Sequence, residues 1–385
     1  MSFGIPARRR GKFGKNLVSK PTRLIMQNKI LIEDLDRIHE VTKERGDWCG
    51  AVVVITGCAG FLGFYFMQYF ARYGENLGVK KIIGLDNFLL GQPDWIASLQ
   101  KEYSNLVNLY EFDISKDKIE KINEAKEARY VIHGASIASP SFYRTYPIET
   151  VDANIWGLRG LLDFYSIRPA LKGFLFFSSS EIYGDPDPDS IPTDEEYRGN
   201  VSCHGPRACY DEAKRFGETL SWIYAKQFNM PITIARPFNN YGPGMSISDK
   251  RLPADFANCV LHERDLTILS DGRPTRTFCY ISDAIIGYLL CLTHGKYDYF
   301  NIGMDEPEIT VKDFAKIFQK SGAQLFDYQG AVDYQTSEDP EYMTDNPNRR
   351  CPVIKKAREV LGYSPKVYVE EGVHRYLSFL KQEVL

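Results

Sequence analysis

Three observations predict an α/β chain, with a doubly wound parallel sheet followed by a smaller α/β domain. An apolar β-branched run at 51–55 passes directly into a glycine-rich turn and then into a helical pattern over 64–73. Short apolar runs recur between helical stretches at 81–85, 109–112, 130–133, 173–177 and 232–235, the rhythm of repeated βαβ units. The length, 385 residues, is long for one domain and comfortable for two.

The turn reads Thr56-Gly-Cys-Ala-Gly-Phe-Leu-Gly63. Gly57, Gly60 and Gly63, with Phe61 and Leu62 among them, let backbone approach a pyrophosphate at the positive end of the following helix. Three glycines alone are weak evidence. Between a strand and a helix they open a Rossmann-type dinucleotide unit. The second run ends in Asp86, roughly twenty residues beyond the last glycine. A carboxylate there accepts hydrogen bonds from an adenosine ribose and repels a 2′-phosphate, which favours NAD over NADP. The competing reading makes Asp86 a turn acid ahead of Asn87.

Further strand ends carry their own signals. Asp113 and Ile114 are placed to flank the adenine. Gly134, Ala135 and Ser136 are small enough for backbone to pass close to a cofactor. His133, at the end of a buried strand, reads as a hydrogen-bonded core residue. The run 173–177 stops at Ser178-Ser179-Ser180-Glu181. Ligands of open parallel sheets bind beyond the carboxyl ends of strands, so a hydroxyl and a carboxylate lie where substrate is expected.

Pro206 suits the first turn of a helix, and from Ala208 to about Phe228 the chain has few breakers. Tyr210 and Lys214 are four apart and leave the same face. A phenol ordinarily ionises near pH ~10, and an ammonium one turn away favours the phenolate, which can then act as a base. Such a pair alone is usually ordinary surface; the serine run upstream changes that.

A formal charge of -3 gives no electrostatic reason to expect nucleic acid or an anionic membrane as partner. No apolar run reaches the length of a membrane span. Eight scattered cysteines without paired spacing imply no metal site, and with no secretory signal they are expected to be free thiols in a reducing cytoplasm. Residues 1–20 carry Arg8, Arg9, Arg10, Lys12 and Lys15 and read as a basic arm. Ile30, Leu31, Leu35, Ile38 and Val41 then mark an amphipathic helix, packed on the main domain or on a second subunit.

The Thr-Gly-x-x-Gly-Phe-Leu-Gly turn, Asp86, the strand-end serine and Tyr-x-x-x-Lys together resemble the extended short-chain dehydrogenase/reductase family that modifies nucleotide sugars. The resemblance runs from about Ala51 to Leu380. Within it, Ser178 to Asp185 and Gly205 to Lys214 resemble the UDP-glucuronate decarboxylases (UDP-xylose synthases) and the related decarboxylase domain that prepares aminoarabinose precursors. Ala138-Ser139-Pro140 and Tyr146-Pro-Ile148 sit where those enzymes carry similar segments.

The resemblance implies a division into an N-terminal extension (1–50), an NAD-binding domain (51–237, with segments returning near 278–303) and a mainly nucleotide-sugar-binding domain (238–385). It implies that Ser178, Pro237 and Asn154 join the cofactor contacts, and that Ser139, Pro140, Asn239, Arg251 and Arg276 meet the substrate. Arg276 would reach the diphosphate and the reacting sugar. Arg349 and Arg350 are open between a phosphate contact and solvated surface. The chain departs from those decarboxylases at Gly242-Pro-Gly-Met245 and Ser248-Asp-Lys-Arg251, at the nucleotide end of the pocket, so the base and the sugar are not fixed by it.

The implied chemistry begins with Tyr210 taking the C4 hydroxyl proton while hydride passes to NAD, with Ser179 holding the oxygen and Lys214 lowering the Tyr pKa. Carbon dioxide leaves from C5 of the 4-keto sugar, followed by re-reduction or release. Glu181, beside the substrate carboxylate, is expected to resist double ionisation and so to have a raised pKa or to destabilise the substrate's charge. The alternatives are a 4,6-dehydratase, a 4-epimerase and a non-catalytic NAD-binding regulator. A homodimer through the helices near 154–165 and 208–228 is expected by analogy.

Overall fold

The computed structural model describes residues 27–337, 344 and 347–384. The apolar runs become six strands: β1 (Val52–Thr56), β2 (Lys81–Asp86), β3 (Val107–Glu111), β4 (Ala128–His133), β5 (Gly173–Phe177) and β6 (Ile232–Pro237). Every residue of β1 and β5 is buried, as befits strands covered by helices on both faces. The sheet does not end at β6. Asp298–Ile302 pairs in parallel with it and makes the seventh strand. Its apolar pattern is interrupted by Asn301, which is buried because its amide donates to the Thr193 and Val353 carbonyls and its oxygen accepts from the Tyr183 hydroxyl.

The strand order, Asp298–Ile302, β6, β5, β4, β1, β2, β3, reverses direction between β1 and β4. Helices leave the sheet in opposite directions there, so a crevice opens beyond the carboxyl ends of these two strands. The helix Phe61–Tyr73 starts inside the glycine turn on one side of it. The helix Ala208–Phe228 has the predicted bounds and ends on Asn229 in the left-handed region, φ 53°. Pro206 lies in the turn before this helix rather than in its first turn.

The smaller lobe contains the helices Leu252–Leu261 and Val311–Phe326 and two small sheets. In one of them Thr275–Arg276 is flanked by Ile309–Thr310 and Arg349–Arg350. The amphipathic N-terminal helix, Lys29–Thr42, is capped by Asn28 and packs on Ile281–Leu292 and Val369–Val384 of its own chain. Asp34 pins it there, accepting from Tyr65 (2.8 Å), Tyr280 (2.7 Å) and Arg375 (2.8 Å). The basic arm expected over 1–20 lies outside the described residues. Among the described residues no helix is long and apolar enough to cross a membrane, and no cluster of His, Cys, Asp or Glu could hold a metal ion. All eight cysteines are free.

Candidate active site

A cavity of about 690 Å³ crosses the ends of the central strands and runs beneath the smaller lobe, a size suited to a large ligand. The glycine turn forms one end. Gly57 has φ +69°, and a Cβ there would stand 2.7 Å from the Gly134 carbonyl oxygen, so neither the conformation nor the space admits a side chain. A Cβ on Gly63 would meet the Gly57 carbonyl oxygen at 2.4 Å, which is why the helix can seat directly on the turn. Asp86 accepts from the backbone N–H of Ala59 (3.0 Å) and Phe88 (2.9 Å), binding the end of β2 to that turn. Burial raises its carboxyl above the ordinary range against these two hydrogen bonds. Asp86, Asn87, Asp113, Ile114, Ala135, Ser136, Ser178 and Pro237 all line this part of the cavity.

Asn154 does not. It is fully buried behind the wall, and its amide donates to the Ser136 hydroxyl (3.0 Å) and the Thr150 carbonyl (2.7 Å). It reaches the cavity only through Ser136. His133 is the core residue expected, buried and bonded to the Thr56 hydroxyl at 2.9 Å, with burial and Lys214 pushing its pKa down to about 3.

At the other end β5 delivers Ser179, and the helix Ala208–Phe228 delivers Tyr210 and Lys214, all three buried. Burial pushes the Tyr210 hydroxyl up to about 12. A hydrogen bond with Ser179 opposes this, and the charges of Glu181 and Asp211 reinforce it. The expectation that Lys214 lowers the tyrosine's pKa is not met in this arrangement. Its ammonium donates to the Phe177 carbonyl at 2.7 Å and stands 5.6 Å from the Tyr210 ring centre, and burial brings its own pKa down to about 7. The charge of Arg251 also works against the rise at Tyr210.

Of the two outcomes expected for Glu181, a raised pKa is not the one found. Burial alone would raise its carboxyl, but Arg350, Arg207 and Arg276 together outweigh that and hold it well below the usual range. Arg207 and Arg350 both bond its Oε2, the latter at 2.9 Å. Arg350 comes from the smaller lobe, is buried, and also donates to the Ser180 carbonyl at 2.8 Å. Asp211 lies 3.5 Å from Arg207 Nε, and its carboxyl is raised by burial and by Glu181. Arg276 lines the cavity, with its guanidinium on the backbone carbonyls of Thr275, Pro347 and Asn348. Burial and Arg350 pull its pKa down to about 10. Three guanidinium groups thus face one ionised carboxylate and one that resists ionisation.

Ser139, Pro140, Asn239 and Arg251 complete the lining. The Ser139 hydroxyl donates to the Asp249 carbonyl (2.6 Å), the Asn239 amide to the Thr277 carbonyl (2.8 Å), and Arg251 pairs with Asp249 (2.8 Å). Sequence reasoning gave no role to Arg207, Asp211 or Tyr143. Arg207 had one available signal: it stands three residues before Tyr210 at a helix start, on nearly the same face. Arg350 had none, because a smaller-lobe strand brings it 169 positions back to Glu181.

Residues 53–303 match the NAD dependent epimerase/dehydratase family. The chain belongs to that family. NAD is therefore its cofactor, and the glycine turn and Asp86 form a cradle that fits a dinucleotide. Within the family, the chain is 32% identical over 337 residues to UDP-glucuronic acid decarboxylase 1 of Arabidopsis thaliana, covering 86% of this chain and 70% of that one. It is 32% identical to UDP-glucuronic acid decarboxylase 1 of Xenopus tropicalis, covering 86% and 72%. Among solved structures, UDP-glucose 4-epimerase of Thermotoga maritima with UDP-glucose matches with TM-score 0.72 and 25% identity, covering 86% of this chain and 98% of that one. This family member is thus an NAD-dependent enzyme of nucleotide sugars.

Proposed function

We propose that the enzyme oxidises C4 of a nucleotide-linked uronic acid, UDP-glucuronate in the first instance, and then releases its carboxylate as carbon dioxide. The observation that carries this reading is the set of guanidinium groups around Glu181, next to Ser179 and Tyr210. A neutral sugar gives no reason for excess positive charge beside the reacting carbon. A sugar acid does. The relatives named as UDP-glucuronic acid decarboxylases support the same reading.

Bound NAD supplies the acceptor for the hydride at C4. Asp86, the glycine turn and Ser178 hold it, and Lys214 meets its ribose. Ser179 holds the C4 oxygen and Tyr210 takes its proton, which requires the phenolate to be favoured against burial. Lys214 provides that pull once its ammonium turns from the Phe177 carbonyl. The 4-ketone makes the C5 carboxylate β to a carbonyl. The C5–carboxyl bond breaks, its electron pair passes into the enolate on C4, and C5 then takes a proton. Glu181, held ionised, has none to give; its part is to fix Arg207 and Arg350. C5 takes its proton from water, and Tyr210 keeps the proton it took from C4 to return it to that oxygen when the hydride goes back. The pentose forms on re-reduction.

Incubation with UDP-glucuronate and NAD is expected to release carbon dioxide, and Tyr210→Phe to abolish cofactor reduction. The structural likeness to a 4-epimerase favours that activity as the second reading. A product that keeps its carboxylate and is inverted at C4 would establish it. We further propose that two copies of the chain pair through Trp156 and, on the helix Ala208–Phe228, Phe216, Trp222 and Phe228, apolar residues that are exposed in the single chain. Trp222→Glu is expected to convert a dimer to monomer in sedimentation analysis.

A further inference from the structure

Two helices that lie outside residues 53–303, the part of the chain matched by the family, pack on one another: Lys29–Thr42 and Val369–Val384. The first also lies against the helix Phe61–Tyr73, which starts in the glycine turn. Asp34, 1% exposed, joins the three. Its Oδ2 accepts from Tyr65 of the glycine-turn helix, and its Oδ1 from Arg375 of the C-terminal helix. Tyr280 is a third donor. A buried ion pair adds little stability over apolar packing of the same volume, but it admits one geometry. The use of that geometry is visible one residue further on.

Tyr376 follows Arg375, is fully buried, and donates its hydroxyl to the Met245 carbonyl at 3.3 Å. Met245 opens the loop 245–251, in which Asp249, Lys250 and Arg251 line the cavity. The Arg251 guanidinium lies 5.6 Å from the centre of the Phe61 ring, in the glycine turn, so the loop reaches across to the cofactor end. Lys250 has φ 68°, a region that a lysine enters when its surroundings impose it. Two contacts from outside the loop hold it: Tyr376 at Met245, and the Ser139 hydroxyl at the Asp249 carbonyl.

We propose that Asp34 is a positioning residue for the cofactor site. It holds two walls of the NAD cradle at once: the glycine-turn helix through Tyr65, and the loop 245–251 through Arg375 and its neighbour Tyr376. The assignment needs NAD and this cavity, and no particular sugar. Slack in either wall lowers the fraction of molecules ready to bind, and the apparent affinity falls with that fraction. The bound state keeps its chemistry, so the effect belongs in binding rather than in turnover.

The test pairs hydrogen–deuterium exchange over 245–251, read by mass spectrometry, with calorimetric titration of the full chain by NAD. Asp34→Asn is expected to raise exchange in the loop roughly tenfold and to weaken NAD about 3- to 10-fold. Tyr376→Phe cuts the route at its last bond and leaves Asp34 intact. It is expected to raise loop exchange in the same direction and to weaken NAD less, and it carries the test should Asp34→Asn fail to fold. Thr42→Val is the control. It breaks the hydrogen bond between Thr42 and Tyr69 (3.0 Å), which also ties the N-terminal helix to the glycine-turn helix but lies off the route through Arg375. It is expected to lower the melting temperature and to leave loop exchange and NAD affinity within about twofold. Unchanged loop exchange in Asp34→Asn or in Tyr376→Phe overturns the proposal. So does a Thr42→Val protein that matches Asp34→Asn in both measurements, because the helix would then act through its stability alone.

Discussion

Two buried arginine networks flank β5 and β6, and they are balanced in opposite ways. Around Arg236 every nitrogen is matched: Nε and Nη2 bond the two oxygens of Glu218 (2.8 and 2.6 Å), and Nη1 bonds the Tyr183 hydroxyl and the Glu195 carbonyl (both 2.8 Å). One cation meets one anion in fork geometry. Around Glu181 three guanidinium groups share one ionised carboxylate, and Arg207, Tyr143 and Asp211 keep unmatched atoms. A chain gains nothing in stability from unmatched buried polar atoms. The first network is explained by folding alone; the second needs a ligand to complete it.

The hardest way to break this contrast is to remove Arg236. Arg236→Met leaves the partly buried Glu218 without its counter-ion and removes a buried, fully bonded guanidinium, and the expected loss is about 3 kcal/mol in denaturant unfolding, the lower end for a broken buried pair. Turnover per folded molecule should be kept, because Arg236 touches neither sugar nor cofactor. A large fall in kcat with normal stability would place Arg236 on the functional side and erase the distinction.

Glu181→Gln sharpens it. Two cations then lose their anion, and because the carboxylate is open to the cavity the expected destabilisation is about 3 kcal/mol, the lower end for a broken buried pair. The pH dependence has a definite sign. The arginines hold the folded-state pKa of Glu181 below that of the unfolded chain, near ~4.3, so its contribution is complete above that value. It is lost as pH falls through the lower folded value. The gap between the melting curves of the two proteins should be constant from pH 8 to 5 and close only in stronger acid. A gap that closes near neutrality would mean that Glu181 is protonated there, one of the two outcomes the sequence left open.

That open choice shows what a sequence discloses. The glycine turn, Asp86, the strand-end serine and Tyr210 with Lys214 were legible because each rests on local geometry: a strand, a turn and a helix whose spacing fixes where side chains go. The seventh strand was obscured by one polar residue, Asn301, whose burial depends on partners at Thr193, Val353 and Tyr183. The charge state of Glu181 was not legible at all. It is set by Arg350, which only the smaller lobe's strand pairing brings to the end of β5. Similarly, Asn154 was read as a cofactor contact when its amide serves to orient Ser136.

The smallest effect is expected from the neighbour of the residue that matters. Arg349 and Arg350 are adjacent on one short strand, so their side chains leave opposite faces. Arg350 turns inward to Ser180 and Glu181. Arg349 turns outward to Glu308, in a two-point pair at 2.7 and 3.0 Å whose arginine is 43% exposed. Solvent and salt screen such a pair, so Arg349→Ala is expected to cost less than about 1 kcal/mol and to leave UDP-glucuronate affinity as it was. Arg350→Ala should weaken that affinity, since Glu181 would then draw Arg207 toward itself. Similar effects of the two substitutions on thermal unfolding and on titration would show that mere density of arginine, rather than a matched or unmatched environment, governs this part of the molecule.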